Sequence, residues 1–489
     1  MNPILQKNKS NIIFLILIVF VYVLLSIISI NNCYFWDNIQ QISNEAHWFY
    51  LNDYKTMLMP DIAGAEITAT GYHPPLMGIM TAALWKVLGY KLWVSHAFIL
   101  MWAIVLIFNL WKLIRILFSE NYAGWVMLIV LIEPTLLTQF AIGSPDFILF
   151  TAFVICLRGI LERKMLVLSV GIFFLCCINM RGIFAGAILF FVHCYYSYLQ
   201  KNDNQNLRLF FKTLLPYLPT FILLSVYFVY YFTEKGWFFS GSQDTAHYSI
   251  PNESGKIIRH IAEFGLRSIE NGRILIWLTG IYIAFLTYKS KVKLTLHEKV
   301  LLSFFLLLTG LYVLFIFITQ MPFSARYFMP QFFLLTILTL LGIFKFYNKH
   351  KINFFLILII CFELTGNLWI YPEKIAKSWD CTLAHLPYYE LRKECFNYID
   401  GEKLDYNDIS GGFCIHGKRD FIELNKVNKT VGSDNNKKYF IYSNISNVVD
   451  SMSDALHNPK NWTPIKRFEK WPVFITIYKN TMNQGNEKP

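Results

Sequence analysis

The sequence predicts an all-α polytopic membrane bundle of about eleven transmembrane helices, followed by a small soluble α/β domain at the C-terminal end. Three observations lead there. Of the 489 residues, 55% are hydrophobic and only 16% charged, and the mean hydropathy is +0.41. Ordinary globular chains are about 45–50% apolar, so a water-soluble fold could not hide this excess. The apolar residues also come in charge-free runs, among them 12–30, 98–110 and 354–361, and the longest approaches the ~20 residues that span hydrocarbon. After residue 370 the composition shifts abruptly to that of a soluble module.

The formal net charge of +12 does not point to nucleic acid, because many of the lysines and arginines sit in short connectors at 112–115, 163–164, 201–212, 289–299 and 345–351. Placing these in the cytoplasm by the positive-inside bias makes the spans countable. They fall near 12–31, 93–111, 122–140, 146–161, 165–180, 183–199, 213–232, 273–288, 300–319, 328–346 and 352–370. Lys7 and Lys9 precede the first run and no small-residue cleavage site follows it, so that run is expected to stay as an uncleaved first span. Eleven crossings from a cytoplasmic N-terminus put the C-terminal domain outside.

The segment 74–89 starts with Pro74-Pro75 and carries Lys86. Counting it as a span would turn every later basic connector outward, so it is expected to lie as an amphipathic helix on the outer surface, within a long first external loop at 31–91. A second external segment, 233–272, mixes Glu234, Trp237, His247, His260 and Arg267 with Gly and Ser. It reads as a partly helical surface loop, long enough to act as a lid.

Residues 1–370 are thus expected to form the transmembrane domain and 371–489 an extracytoplasmic α/β domain, with a helix near 376–399 and strands near Phe413, 439–442 and 473–478. The nine cysteines show no metal-ligand spacing, and no metal or other cofactor is indicated. Cys381, Cys395 and Cys414 leave room for one disulfide if the domain faces an oxidising compartment. No Walker-type glycine loop is present, which argues against a pump driven by its own nucleotide site.

Charge beside long apolar runs costs roughly 2.5–3.5 kcal/mol at a span's centre and usually has a partner or a task. By the span count Asp37, His73, Asp146, Arg181 and Arg326 all lie at outer ends of spans or in external loops, so five separate neighbourhoods converge on one surface.

Three local patterns among them resemble the multi-spanning GT-C glycosyltransferases that use polyprenyl-phosphate sugars, the class of the protein O-mannosyltransferases and the aminoarabinose transferase. They are Phe35-Trp36-Asp37-Asn38 after the first span, Gly71-Tyr72-His73-Pro74-Pro75-Leu76 later in that loop, and Arg326-Tyr327-Phe328-Met329-Pro330 before a late span. Gly143-Ser144-Pro145-Asp146 supports them, at a place where the family often has a second acid. Two positions depart from the family: Asn38 where Asp-Glu is common, and His73 where Lys often precedes Pro-Pro-Leu.

The resemblance implies an inverting transfer of one sugar to an acceptor at the outer face of the membrane. A carboxylate takes the acceptor's proton, help typically worth ~10²–10⁴ in rate. Asp37 is the candidate base and Asp146 the second catalytic acid. Fixed cations stabilise the charge growing on the departing lipid phosphate, with Arg326 first and Arg181 and His73 behind it; Tyr327 is claimed beside Arg326. The implied partners are a polyprenyl-phosphate sugar, a lipid, protein or glycan acceptor, and membrane lipid. The implied setting is a bacterial cytoplasmic membrane, although a related architecture in the endoplasmic reticulum would face the lumen.

Plain alternatives stand beside each role. Asp37 and His73 are also ordinary loop residues, Ser144-Pro145-Asp146 also has the chemistry of a helix start, and arginines at helix ends also snorkel to headgroups. At the level of the whole chain the rivals are a transporter or flippase of lipid-linked glycan, a glycan ligase or polymerase, and a non-catalytic envelope protein. A transporter would carry ionisable residues near the midplane and broken helices related by a repeat, and the sequence is read as having neither.

Overall fold

The computed structural model describes residues 3–57, 73–200, 206–236, 250, 253–319, 323–370, 378–446 and 450–481. Gly71 and Tyr72 of the first-loop pattern, Trp237 and His247 of the second loop, and the start of the expected 376–399 helix lie outside them.

The membrane part runs through α1 (Pro3–Ser29), α2 (Glu45–Leu51), α3 (Leu76–Leu88), α4 (Leu92–Leu117), α5 (Ala123–Leu131), α6 (Pro134–Ala141), α7 (Pro145–Leu161) and α8 (Met165–Ile178). It continues through α9 (Met180–Leu199), α10 (Asn206–Leu214), α11 (Leu218–Lys235), α12 (Ser254–Ile269), α13 (Ile274–Lys289), α14 (Leu296–Ile318), α15 (Met329–Phe346) and α16 (Lys349–Gly366). A helix, or in one case a bent pair, occupies each segment expected to cross. Among the described residues, five helices are long and apolar enough to cross alone, seven if each of two bent pairs is one span.

Burial sorts these helices. Every residue of α7 is buried, which puts it at the centre of the bundle. By contrast the described side chains of α1 bury one stripe, Ile18, Tyr22, Leu25 and Ser29. That is the 3.6-residue spacing of a helix with one face on its neighbours; Ile13, Ile16, Phe20 and Ile27 face outward.

The expected straight span 122–140 is broken: α5 and α6 meet at 61°. Pro134 has no N–H and biases the residue before it away from helix, and Glu133 takes an extended ψ of 127°. Its carboxylate then caps α6 by accepting from Leu136 N at 2.8 Å and pairs with Arg273 at 2.5 Å. Glu363 of α16 is buried, and lines the same small cavity as Glu133. The straight span expected at 122–140 is therefore corrected to a bent pair, with half-buried Glu133 and buried Glu363 beside the break.

The segment 74–89 is helical as α3, starting just past Pro74-Pro75, and its Lys86 pairs with Asp53 in the same loop. Among the described residues of the second loop, Ser254–Ile269 is helical as α12.

The C-terminal domain opens with two 3₁₀ turns, Trp379–Cys381 and Leu383–His385, and the helix α17 (Pro387–Gly401). Four strands, β1 (Ile409–Gly411), β4 (Tyr439–Ser443), β5 (Trp462–Lys470) and β6 (Val473–Asn480), form a sheet in the order β1-β4-β6-β5. The pair β1–β4 is parallel and the others antiparallel. A small ladder joins β2 (Gly417–Lys418) to β3 (Thr430–Val431), and α18 (Arg419–Glu423) and α19 (Asp450–Leu456) complete the domain.

The expected helix therefore begins later, at Pro387, and the strand near Phe413 ends just before it, at Gly411. Strand β5 was not expected because it is a solvent-facing edge strand rich in Lys, Arg and Glu, without the alternation that marks a half-buried strand. No disulfide forms: Cys381, Cys395 and Cys414 are free and buried. Cys381 lies against Ser324 and Cys414 against Ser446, both at contact distances of 3.4 and 3.3 Å.

The two parts share a core. Phe35 and Trp36, from the loop after α1, belong to the apolar cluster of Tyr388, Leu391 and Phe396 on α17. Phe35 stacks on His385 at 4.8 Å, and Trp36 meets Phe413 edge-on at 5.8 Å.

Candidate active site

Four chain segments deliver the charged groups expected from the sequence, and a fifth adds Asp380. In the first, Trp36 adopts a φ of +52°, a conformation rare for non-glycine residues. Its side chain is held in the C-terminal domain, so the next residue, Asp37, turns back toward the bundle. Asn38 then donates to Ile142 O at 2.8 Å, tying the loop to the turn between α6 and α7. Asn at this departure from the family thus has a structural task of its own.

That turn delivers the second segment. Gly143 takes a φ of +72°, the left-handed region that favours glycine. Ser144 caps α7 by accepting from Asp146 N at 3.1 Å, with Pro145 at the first helical position. The helix-start chemistry and the placement of Asp146 are therefore both present.

In the third, Asn179 caps α9 by accepting from Arg181 N at 3.0 Å. Gly182 lets α9 begin so close to α8 that a Cβ there would sit 1.6 Å from Leu175 O. In the fourth, a 3₁₀ turn, Ala325–Phe328, precedes Pro330 in the first turn of α15, where a missing N–H costs nothing. Phe328 packs edge-on against Tyr312 at 4.6 Å and Phe264 at 5.4 Å, and Tyr312 donates to Tyr327 O at 2.5 Å.

The groups meet on Arg326. Its Nη2 donates to Asp37 Oδ2, its Nε lies 3.3 Å from Asp146 Oδ2, and its Nη1 lies 2.7 Å from Asp380 Oδ2. Arg181 holds the other oxygen of Asp146 at 2.8 Å, and its guanidinium sits 4.0 Å above the Tyr327 ring, a cation–π contact. Arg326 is 5% exposed, Asp146 4% and Asp380 1%, whereas Asp37 is 25% exposed and Arg181 26%. Asp37 is thus the carboxylate that reaches open space, and Asp146 an inner anchor for both arginines.

Asp380 was not anticipated. It comes from the first 3₁₀ turn of the C-terminal domain, and burial pushes its carboxyl above the usual range while Arg326 pulls it down. The neighbourhood is weakly signalled in sequence: an acid between Trp379 and Cys381, two residue types that favour interiors.

His73 lies beside the cluster, 3.4 Å from Gln41, and its Nδ1 is buried without a hydrogen bond. Burial, reinforced by Arg181, lowers its pKa to about 3. That lowered pKa favours the neutral imidazole over the cation expected from the sequence. Among the described residues no three His, Cys, Asp or Glu side chains are grouped to hold a metal ion.

Two more neutral histidines outside the spans share this behaviour, His47 and His385, each depressed to about 4 by burial. A folded pKa below the unfolded value of about 6.5 stabilises the fold above pH 6.5, and that contribution is lost as pH falls toward the folded value. Melting temperature is expected to fall between pH 6.5 and 4, with at most about 1.4 kcal/mol lost per pH unit for each histidine. His47→Gln should flatten part of that fall in a thermal scan; an unchanged profile would show that His47 is solvated.

The architecture is the GT-C membrane fold expected from the sequence, and the chain is an integral, multi-pass membrane protein. Two solved structures of ArnT from Cupriavidus metallidurans carry the likeness. The one bound to undecaprenyl phosphate aligns at a TM-score of 0.52 and 14% identity, and the apo form at 0.50 and 12%, each over 95% of this chain and 97% of that one. The Archaeoglobus fulgidus oligosaccharyltransferase in complex with zinc and sulfate aligns at 0.45 and 12% identity, over 86% of this chain and 68% of its own, too distant to carry an argument. No protein-family model matches the sequence, and no curated protein does.

Proposed function

We propose that the chain is an inverting glycosyltransferase that moves one sugar from a polyprenyl-phosphate donor to an acceptor at the outer face of the membrane. One observation carries the reading: Asp37, Asp146 and Tyr327 gather on Arg326, with Arg181 held beside it by Asp146 and Tyr327, in a fold shared with an ArnT structure that holds undecaprenyl phosphate.

The acceptor hydroxyl oxygen attacks the anomeric carbon and its proton passes to the Asp37 carboxylate. The bond from that carbon to the phosphate oxygen breaks, and its electron pair leaves with the lipid phosphate. Attack and departure on opposite sides invert the centre. Arg326 and Arg181 stabilise the charge that grows on the phosphate, which lowers the barrier because that charge is largest in the transition state. Asp146 orients both arginines, Tyr327 supports Arg181 from below, and neutral His73 offers one hydrogen bond. No metal or other cofactor enters this scheme.

Residues 1–370 form the transferase domain and 371–489 the extracytoplasmic domain in this reading, with the N-terminus in the cytoplasm and a bacterial inner membrane as the setting. The acceptor is a lipid, protein or glycan. Transport of a lipid-linked glycan draws its support from the bend at Glu133; that carboxylate is already paired with Arg273.

The test incubates purified protein with polyprenyl-phosphate hexoses and pentoses and a panel of acceptors, and follows release of the lipid phosphate. Release with at least one donor and acceptor pair is expected. No release with any pair, together with movement of lipid-linked sugar across reconstituted vesicles, would replace the transferase by a transporter.

A further inference from the structure

The C-terminal domain is easily taken for an appendage that gathers acceptors. It reaches further than that. Asp380 is 1% exposed and occupies Nη1 of Arg326 at 2.7 Å, while Asp146 faces Nε and Asp37 takes Nη2. A guanidinium is a planar fork whose donors point in fixed directions. Here two buried carboxylates in ionic contact at Nε and Nη1, with no hydrogen bond formed at Nε or by Asp380 Oδ2, confine the planar group and leave Nη2 to donate to Asp37.

The segment bearing Asp380 does not depend on that side chain for its own placement. Buried polar groups of the membrane part grip its backbone: Gln139 Nε2 donates to Asp380 O at 2.6 Å, and Asn271 Nδ2 and Thr135 Oγ1 donate to Cys381 O at 3.3 and 3.4 Å. One residue on, Thr382 donates to Asn367 O at 3.1 Å. Trp379 is buried on one side, and Cys381 lies against Ser324 on the other, two residues before Arg326. With the chain held by its carbonyls, the carboxylate accepts from Cys381 Sγ at 3.5 Å through Oδ1, and the direct ionic partner of Oδ2 is Arg326.

We infer that Asp380 is a positioning residue: it clamps the inner edge of the Arg326 guanidinium so that the outer edge faces Asp37 and the space a donor phosphate fills. The inference rests on the transferase reading for the identity of that phosphate and acts through Arg326 alone. It makes the C-terminal domain a structural part of the reaction centre.

The test uses the full-length protein and two readouts, turnover of a polyprenyl-phosphate sugar and binding of undecaprenyl phosphate. Asp380→Ala is expected to lower kcat about tenfold or more while changing the donor KM less than about threefold. Asp380→Asn keeps an oxygen for the guanidinium and should restore most of kcat. In an Arg326→Lys background, Asp380→Ala should have little further effect on kcat, and any change it makes in lipid-phosphate affinity should likewise vanish, because coupling between two contacting groups disappears with either of them.

Wild-type kcat in Asp380→Ala, or an equal loss in the Arg326→Lys background, overturns the inference. So does a fall in thermal stability and lipid-phosphate binding shared by Asp380→Ala and Asp380→Asn, since that marks a folding role. A wild type that binds undecaprenyl phosphate but cleaves no donor sinks the transferase reading alone; Asp380 is then judged on the binding cycle, where an affinity change confined to the Arg326 background upholds it and any other pattern removes it. A wild type that does not bind the lipid phosphate sinks both.

Discussion

Asp37→Asn is expected to lower turnover of a polyprenyl-phosphate sugar by about 10²–10⁴, the usual worth of a positioned general base. The amide keeps the volume and still accepts from Arg326, so the ion cluster loses one charge without losing its shape. Donor binding should therefore persist, and the loss should appear in kcat with little change in the donor KM. Asp37 is the most exposed of the three carboxylates on Arg326, at 25% against 4% for Asp146 and 1% for Asp380, which is why it rather than they is assigned to meet the acceptor. Full turnover in Asp37→Asn would remove the base from this site.

The second large effect is expected at Arg326. Removing a preorganised donor from a site of developing charge costs about 10²–10³ in kcat, and Arg326→Ala should lose at least that. It also strands buried carboxylates, and breaking a buried pair costs about 3–5 kcal/mol of stability, so a lower melting temperature should accompany the loss. Arg326→Lys separates the two effects. It keeps the charge and most of the stability but not the fork that reaches three carboxylates at once, so its melting temperature should stay near that of wild type while kcat remains depressed. A lysine variant with full kcat would show that only a positive charge is needed there.

The bundle was legible because lipid demands charge-free runs and basic connectors punctuate them. Asp37, Asp146, Arg181 and Arg326 were legible because each stands just outside an apolar run, where a charge is conspicuous, and Tyr327 because it follows Arg326 in the Arg-Tyr pattern; the structure brings all five together. Asp380 was not, since acids are ordinary in a soluble stretch and nothing local says which one turns inward. The bend at Glu133-Pro134 had a visible signal, an acid and a proline inside an apolar run, which averaging hydropathy over the segment conceals. His73 lies beside the cluster, and burial with a neighbouring arginine lowers its pKa, an effect that the residue type alone does not show.

Phe35 and Trp36, the two residues before Asp37, sit in the hydrophobic centre of the C-terminal domain. Anyone building chimeras from this scaffold faces a constraint that linear sequence conceals: the exchangeable unit is discontinuous. A graft of the C-terminal domain without its matching 34–38 strip leaves two large aromatic rings without their socket, and the carboxylate beside them loses its aim.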